Sequence, residues 1–265
     1  MLADGLYTRF PKPDYAVAFH VASNLPTGRI SASEGLQYSS ADSVDITVHG
    51  VGAHGAAAHT GKDPVYIASA IVVALQSVVS REVGPLSPAV ITVGAFHAGH
   101  KHNIISDRAD LQLTVRANDE ATRAQLIAAI ERVAKNVARA NGGAEDRLPE
   151  VKVSEGTPTT INDTALARRM NAAFARDLGP EVMVPFVQET MGAEDFAFFV
   201  QPELKVPGYY FAVGGTPQAA FDAAKAGGPP VPSHHSPLFK VAPEPSVTLG
   251  AEAMVTAALE LLKPR

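Results

Sequence analysis

Residues 50–64 read GVGAHGAAAHTGKDP and place two histidines within a run of small residues. Glycines let a backbone come close to a ligand, because they lack a Cβ atom and tolerate positive φ. A histidine held in such a loop can exchange a proton near neutral pH. A flexible surface loop that happens to contain His54 and His59 explains the same pattern equally well. The sequence on either side of the loop is therefore needed to distinguish the two interpretations.

The loop lies inside an alternating series of predicted strands and helices. Val44, Ile46 and Val48 alternate with polar residues before it, which predicts a half-buried strand. Asp63 and Pro64 can begin the helix that follows. The further predicted elements are strands near 89–96, 111–115 and 151–153, and a helix over 119–142. The order βαββαβ over residues 38–157 is that of an α+β ferredoxin-like domain.

The two flanking segments, 1–37 and 158–265, have α/β character. Residues 15–21 form a mostly apolar run, which predicts a buried strand ending near His20. Ligand sites in open α/β sheets lie beyond the carboxyl ends of strands, so His20 is suitably placed for a site. If the middle segment is an insertion, the flanks form one domain that can bring His20 and His235 together. Residues 1–5 are read as the end of a helix that stops at Gly5.

Composition excludes several classes of function. The net charge of −5 gives no electrostatic reason to expect nucleic acid or an anionic membrane as a partner. The chain contains no cysteine, so disulfides and thiolate chemistry are excluded. No apolar run reaches the ~20 residues of a membrane helix. The first residues lack the regions of a signal peptide, and a cytoplasmic location is expected.

Imidazole and carboxylate groups are a normal ligand set for Zn²⁺ or Mn²⁺. His20 and His235 supply imidazoles, and Glu194 supplies a nearby acid together with Asp195. Alternatively, His20 is a strand-end histidine whose hydrogen bonds are satisfied within the fold, and residues 234–235 belong to an ordinary polar loop. A serine-nucleophile elbow and a phosphate-binding loop are both missing from the sequence.

Eight stretches, taken in order, resemble the dinuclear metal amidohydrolases of the aminoacylase, carboxypeptidase G2 and hippurate hydrolase family. The resemblance is strongest to the branch that contains hippurate hydrolase and the indole-acetyl-amino-acid hydrolases. The matching stretches are Asp4–Leu6, Pro13–Val21, Gly52–Pro64, Ala74–Glu82, Asn103–Arg108, Thr114–Arg116, Gly192–Phe199 and His235–Phe239.

The resemblance implies a zinc-peptidase-like catalytic domain in two pieces, 1–37 and 158–265, with a lid and dimerisation domain inserted at 38–157. It implies metal-dependent hydrolysis of the amide bond of N-acyl amino acids or similar small conjugates. His20 and His235 correspond to ligands of a site that holds two ions, Zn²⁺ or Mn²⁺, in the family. His54 corresponds to a lid histidine that polarises the scissile carbonyl in a neighbouring subunit.

The resemblance also implies residues that contact the substrate. Asn103 and Arg116 match lid residues of this kind, and an arginine can grip a carboxylate with two parallel hydrogen bonds. Arg116 could equally be a structural ion-pair partner. His59 is a secondary candidate, and Glu194 matches a residue near the site whose role the resemblance does not fix. The expected partners are a small-molecule substrate and a second copy of the chain, bound through the lid.

Two departures from the family pattern qualify these expectations. Ala58 stands where the family usually has a proline before the histidine at 59. The family's remaining metal ligands and its Glu-Glu pair would precede Asp4, so the chain is expected to be truncated at its N-terminus. We therefore expect it to bind metal weakly and to hydrolyse little by itself. A non-catalytic remnant that acts as a dimerisation or binding module is the alternative.

Overall fold

The computed structural model describes residues 1–263. Its helices are α1 (Leu6–Arg9), α2 (Pro64–Ser77), α3 (Glu120–Ala140), α4 (Thr164–Leu178), α5 (Gln218–Lys225) and α6 (Pro243–Leu261). Its strands are β1 (Ala16–Pro26), β2 (Ile30–Ser31), β3 (Leu36–Tyr38), β4 (Ser40–His49), β5 (Ala53–His54), β6 (Ala89–Ala98), β7 (Ile104–Ile105), β8 (Arg108–Ala117), β9 (Glu150–Thr157), β10 (Thr160–Ile161), β11 (Met183–Val184) and β12 (Gly208–Thr216).

The chain divides into two compact units. The first, called the flanking unit, comprises residues 1–37, 160–189 and the chain from 195 onward. The second, called the middle unit, comprises residues 38–159 together with the short segment Thr190–Glu194. The sequence predicted the middle unit as one continuous insertion, and that prediction does not include this distant segment.

The middle unit is a four-stranded antiparallel sheet in the order β6-β8-β4-β9. Val44, Ile46 and Val48 are almost completely buried, and they alternate with more exposed polar residues. Fully burying a side chain of this size stabilises the fold by about 1.5–3 kcal/mol. The buried face packs against α2 and α3 to form the core of the unit. The predicted βαββαβ order is confirmed.

Helix α2 is the most apolar helix of the middle unit. Its Asp63 N-cap accepts a hydrogen bond from the backbone N–H of Val65 at 2.9 Å, and Pro64 occupies the first turn, as predicted. One π-helical turn, Val78–Glu82, extends it. The stretch Pro64–Glu82 has a mean hydropathy of 1.4. Judged by length and composition alone, it could cross a membrane. Its buried face contributes to the core of this unit, while Val65, Tyr66 and Val73 of the same helix are exposed.

A buried ion pair joins the sheet of the middle unit to α3. The carboxylate of Asp42 is fully buried and accepts hydrogen bonds from Arg123 Nη2 at 2.7 Å and Nε at 2.8 Å. Glu120 accepts a further bond from Arg123 Nη1 at 2.9 Å. A Cβ atom on Gly156 would lie 2.6 Å from Asp42 Oδ1, so this pair fits only beside glycine.

The flanking unit is a mixed sheet in the order β1-β12-β2-β11. β1 and β12 are parallel, with His20 opposite Ala212, and every residue of β12 is buried. Helices α4 and α6 pack together and against β12. The prediction of a helix that ends at Gly5 is wrong, because Gly5 adopts φ +86° and precedes α1. Glycine tolerates this positive φ at little cost.

Candidate functional site

Three imidazoles lie together in the flanking unit. His20 is on β1, and His234 and His235 are on the segment between α5 and α6. The ring centroids of His20 and His234 are 5.7 Å apart, and those of His234 and His235 are 5.2 Å apart. The fold therefore brings His234 against His20, although the family resemblance singled out His235.

The hydrogen bonds of these rings determine which nitrogens carry protons. His20 Nδ1 lies 2.6 Å from the carbonyl oxygen of Val21, so Nδ1–H donates and Nε2 keeps a free lone pair. That is the tautomer that a metal-binding histidine needs. His234 Nδ1 is joined to the hydroxyl of Ser23 at 3.2 Å. Burial, and then the neighbouring His20 and His235, hold the pKa of His234 below its ordinary value.

These imidazoles fit a divalent ion such as Zn²⁺ or Mn²⁺ as part of a ligand set. Imidazole is a usual donor for both ions, and His20 offers the correct nitrogen. Within residues 1–263, no group of three histidine, aspartate or glutamate side chains is arranged to hold a metal ion. The roles of His20 and His235 as ligands stay predictions.

His54 and Asn103 lie side by side in the middle unit. β5 pairs with β7, which places His54 opposite Ile104, and Gly55 N–H donates to the carbonyl of Asn103 at 2.7 Å. A Cβ atom on Gly55 would lie 3.1 Å from that carbonyl oxygen. Glycine is therefore needed for the two segments to approach so closely.

The His54 ring is held in the tautomer opposite to that of His20. The backbone N–H of Ala56 donates to His54 Nδ1 at 3.1 Å, so the proton of the neutral ring is on Nε2. His54 thus offers an N–H donor from an exposed ring. His59 is also exposed, on the 3₁₀ turn Gly55–Thr60.

The glycine-rich loop closes on itself. Val51 and Lys62 form an antiparallel bridge, with backbone hydrogen bonds of 2.9 and 3.0 Å. A Cβ atom on Gly61 would lie 2.6 Å from the carbonyl oxygen of Val51. At this position the glycine serves close packing within the loop, which is more ordered than a flexible surface loop.

Arg116 lies far from the His54 end of the middle unit. It is near the end of β8, and its Nη1 donates to the carbonyl of Met191 at 3.3 Å while its Nε donates to Thr114 Oγ1 at 3.0 Å. Eight residues of extended strand, about 26 Å, separate Arg116 from Arg108, where β8 begins. Asn103 precedes that beginning in the chain, next to the short strand β7.

The guanidinium of Arg116 takes part in none of the ion pairs formed by residues 1–263. The alternative interpretation of Arg116 as a structural ion-pair partner therefore lacks a carboxylate in the described structure. A half-buried cation of this kind is available to an anionic ligand.

Glu194 belongs to the segment Thr190–Glu194, which lies with the middle unit. The backbone N–H of Ser39 donates to the carbonyl of Gly192 at 2.8 Å and holds the segment in place. Burial, and to a smaller degree the charge of Glu194, raises the pKa of Tyr38 to about 12. Glu194 is thus close enough to Tyr38 to act on it electrostatically.

Sequence reasoning missed Ser23 and the carbonyl of Met191 as parts of these sites. Ser23 contacts a residue 211 positions away. A backbone carbonyl has no side-chain signature at all. The only available signal was the position of Ser23 on the strand that carries His20, three residues further on.

Comparison with known proteins finds one family model and several curated relatives. Residues 39–142 match the family model of the peptidase dimerisation domain. The chain is 38% identical to the hippurate hydrolase of Campylobacter jejuni over 217 residues, which are 80% of this chain and 53% of that protein. It is 32% identical to thermostable carboxypeptidase 1 of Saccharolobus solfataricus, over 76% of this chain and 49% of that protein. It is 31% identical to the N-acetyldiaminopimelate deacetylase of Bacillus subtilis, over 81% of this chain and 55% of that protein.

Solved structures show the same fold. A protein from methicillin-resistant Staphylococcus aureus superposes with a TM-score of 0.82 at 23% identity, over 99% of this chain and 62% of that one. The Bacillus subtilis YXEP protein, described as a dinuclear metal-binding peptidase from the M20 family, superposes with a TM-score of 0.71 at 23% identity, over 99% of this chain and 61% of that one.

Residues 39–142 of the middle unit match the peptidase dimerisation domain, and the chain has the fold of the two solved structures. The chain is a relative of the M20 family, and its relatives are named as hydrolases, carboxypeptidases and deacetylases. The resemblance stated from the sequence motifs is confirmed. The chain spans about half the length of the curated relatives it matches.

Proposed function

We propose that the chain belongs to a metal-dependent amidohydrolase that cleaves the amide bond of an N-acyl amino acid or a similar small conjugate. The observation that carries this proposal is the state of His54. Its ring accepts a backbone hydrogen bond at Nδ1, presents Nε2–H to solvent, and lies beside Asn103. An N–H donor whose direction is fixed in this way suits the oxygen of a carbonyl under attack.

The role of His54 is to stabilise the negative charge that develops on the carbonyl oxygen. Its tautomer is fixed before the substrate binds, so no reorganisation is needed during the reaction. Removing one donor of this type typically costs a factor of 10²–10³ in kcat. Asn103, which comes directly before β7 and accepts a backbone hydrogen bond from Gly55, holds the substrate in the same region.

Arg116 holds the carboxylate of the amino-acid part of the substrate. Two of its nitrogens already bind Thr114 and the carbonyl of Met191, which fixes the plane of the guanidinium. Its lack of a carboxylate partner in residues 1–263 supports this role.

His20 and His235 hold the metal. A bound Zn²⁺ or Mn²⁺ ion would supply Lewis-acid polarisation and lower the pKa of a coordinated water. His20 contributes by keeping its Nδ1 proton on the carbonyl of Val21, which leaves Nε2 as the donor atom. The cytoplasmic location and the weak metal binding of this chain stay predictions.

The middle unit forms a homodimer, and His54 acts in the site of the neighbouring subunit. The match of residues 39–142 to the peptidase dimerisation-domain model supports this arrangement. β6 is an edge strand of its sheet, and α2 exposes Val65, Tyr66 and Val73 beside its polar residues. Open strand edges and apolar helix faces of this kind are what subunit contacts cover.

The experiment that tests the proposal is hydrolysis of N-acetyl and N-benzoyl amino acids with added Zn²⁺ or Mn²⁺. The chain is assayed alone and, where its gene continues upstream, as the longer chain. His54→Ala should lower kcat by about 10²–10³. His49→Asn is the matched control, because His49 is a half-buried histidine at the end of β4 in the same unit and contacts Glu150. Equal losses in both variants, or full activity in His54→Ala, would refute the role of His54.

A second candidate is a non-catalytic dimerisation or binding module. The separate core of the middle unit and its match to the dimerisation-domain family model favour it. This candidate predicts a stable dimer and no hydrolysis in any longer chain from the same gene. Sedimentation and the assay above, applied to the same preparation, separate the two candidates.

A further inference from the structure

We propose that a groove beside Arg116, on the open face of the middle unit's sheet, selects substrates whose amino-acid part carries a cationic side chain. N-acyl derivatives of lysine or ornithine are of this class. The inference rests on the proposed function, because it takes Arg116 as the residue that binds the substrate's carboxylate. It adds a specificity site to which neither the sequence motifs nor the comparisons assign a role.

The groove lies on the face of the sheet that does not pack against helices. Its residues on β4 and β8 alternate with the buried residues that contact α2 and α3. It has a volume of about 550 Å³ and draws its lining from all four strands. The lining residues used below are Ser43, Asp45, Gly94, Gln112, Thr114 and Glu155.

Two β-bulges coincide with the groove. β6 carries one extra residue, Gly94, relative to β8, and β9 carries one extra residue, Ser154, relative to β4. Both extra residues line the groove. A bulge bends its strand and increases the local twist, and bulges are common beside binding sites. Both edge strands of the sheet therefore bend at the groove.

Gly94 leaves one side of the groove open. It does not have the positive φ that requires glycine. A Cβ atom built on it would approach only the carbonyl oxygen of Gln112, at the ordinary contact distance of 3.9 Å. Neither the backbone conformation nor close packing therefore requires glycine here, and a larger side chain would occupy the groove.

The charges around the groove suit a ligand that carries both a negative and a positive group. Arg116 Nε donates to Thr114 Oγ1 at 3.0 Å, so the guanidinium adjoins one end of the groove. Glu155 lies two strands across from Thr114, and Asp45 lies one strand across and two residues further from Arg116. With the usual strand spacing and rise, the backbones of both acidic residues are about 8–10 Å from that of Thr114.

The carboxylates of Asp45 and Glu155 are available to a cation. Neither takes part in the ion pairs formed by residues 1–263. Lys152 is opposite Asp45 in the register of β9, but it does not line the groove and forms no ion pair within the same residues. An ammonium group on a flexible stem can therefore reach these carboxylates while the ligand's own carboxylate stays on Arg116.

The test compares the binding of three probes to the chain by calorimetry and by ligand-observed NMR. They are Nα-acetyl-lysine, Nα-acetyl-norleucine, which keeps the hydrocarbon stem without its charge, and Nα-acetyl-lysine amide, which lacks the carboxylate. Acetyl-lysine should bind about 3–10-fold more tightly than acetyl-norleucine, as expected for one or two partly exposed ion pairs. The preference should shrink at high salt, and the amide should bind more weakly than acetyl-lysine.

Three variants locate the effect. Asp45→Asn combined with Glu155→Gln should remove the preference for acetyl-lysine and leave the binding of acetyl-norleucine unchanged. Gly94→Val should weaken the binding of both probes, because it fills the groove without changing its charge. Glu150→Gln is the matched control, since Glu150 is an exposed carboxylate of β9 that contacts His49 and lies outside the groove.

Equal affinity for acetyl-lysine and acetyl-norleucine, or no binding of either, overturns the inference. An equal loss of preference in Glu150→Gln, or unchanged binding in Gly94→Val, overturns it as well. In each of these cases hydrolysis of uncharged N-acyl amino acids in the assay above leaves the proposed function standing. Unchanged binding of both probes by Arg116→Ala overturns the inference together with the proposed role of Arg116.

Discussion

His54 and Asn103 are neighbours across the paired strands β5 and β7, with Gly55 N–H donating to the Asn103 carbonyl at 2.7 Å. Arg116 lies at the far end of β8, about 26 Å beyond the beginning of that strand. The middle unit therefore presents two separate groups of candidate residues. Each group leads to its own experiments.

Arg116→Ala should raise the KM for substrates with a free carboxylate. Hydrogen bonds to a charged group contribute about 1.5–3 kcal/mol, so a KM increase of at least about tenfold is expected. The corresponding carboxamide substrates should be nearly unaffected, since they carry no charge for Arg116 to bind. Arg116→Lys should recover little, because lysine lacks the planar two-pronged geometry. Arg108→Ala, at the other end of β8, is the control, and an equal effect there would contradict the assignment.

Asp42→Ala should destabilise the middle unit by about 3–5 kcal/mol, since it leaves the half-buried Arg123 without its main partner. Urea unfolding followed by circular dichroism measures this change. Asp110→Ala removes a carboxylate of the same sheet that is more exposed and pairs with Arg108, and it should cost much less. Similar losses of stability in the two variants would show that burial is not the reason why the Asp42 pair stabilises the fold.

Val73→Asp should weaken the dimer without unfolding the subunit. Val73 is 73% exposed on α2, so the substitution removes no core contact, and a charge in an apolar contact costs affinity. An increase of about tenfold or more in the dimer dissociation constant, measured by sedimentation, is expected. Val247→Asp, at a position 67% exposed on α6, is the matched control. Loss of the dimer only in the Val247 variant would place the contact on the flanking unit.

Glu260 should make stability dependent on acid pH. Lys263 first, and then Arg169 and Arg176, lower the pKa of Glu260 from 4.5 to about 2. A carboxyl whose pKa is lowered by folding stabilises the folded state above its unfolded pKa, and this contribution is lost as pH falls through the folded pKa. Wild type should therefore be more stable than Glu260→Gln at pH 7. The difference should shrink between pH 4.5 and about 2. A difference that stays constant over this range would exclude the ionic origin.

The repeating patterns of the sequence predicted the middle unit well. The alternation around Val44 and Ile46 defined which face of β4 is buried, because a strand has only two faces. Asp63 and Pro64 predicted the start of α2, because capping is a local property. The helix assigned to residues 1–5 failed because a glycine that follows a helix and one that precedes a helix look the same in sequence.

The candidate sites were less accessible to sequence reasoning. The contact of Arg116 with the Met191 carbonyl depends on a backbone atom, and that of Ser23 with His234 joins residues 211 positions apart. Neither contact leaves a periodic or local pattern. The tautomer of His20 depends on its hydrogen bond to the carbonyl of Val21, and that of His54 on the hydrogen bond from the amide of Ala56. Only the three-dimensional structure reveals such single contacts.

The first and last strands of the middle unit, β4 and β9, are hydrogen-bonded neighbours, and Ala41 pairs with Thr157. The polypeptide thus enters and leaves the continuous part of this unit, residues 38–159, through adjacent points. A unit with closely spaced ends can be exchanged between hosts as a cassette, because joining its ends to a new scaffold requires no stretching of the chain. The glycine-rich loop, with His54 and Asn103, would stay intact within such a cassette, so the groups proposed to bind the oxyanion are separable from the histidines proposed to bind the metal.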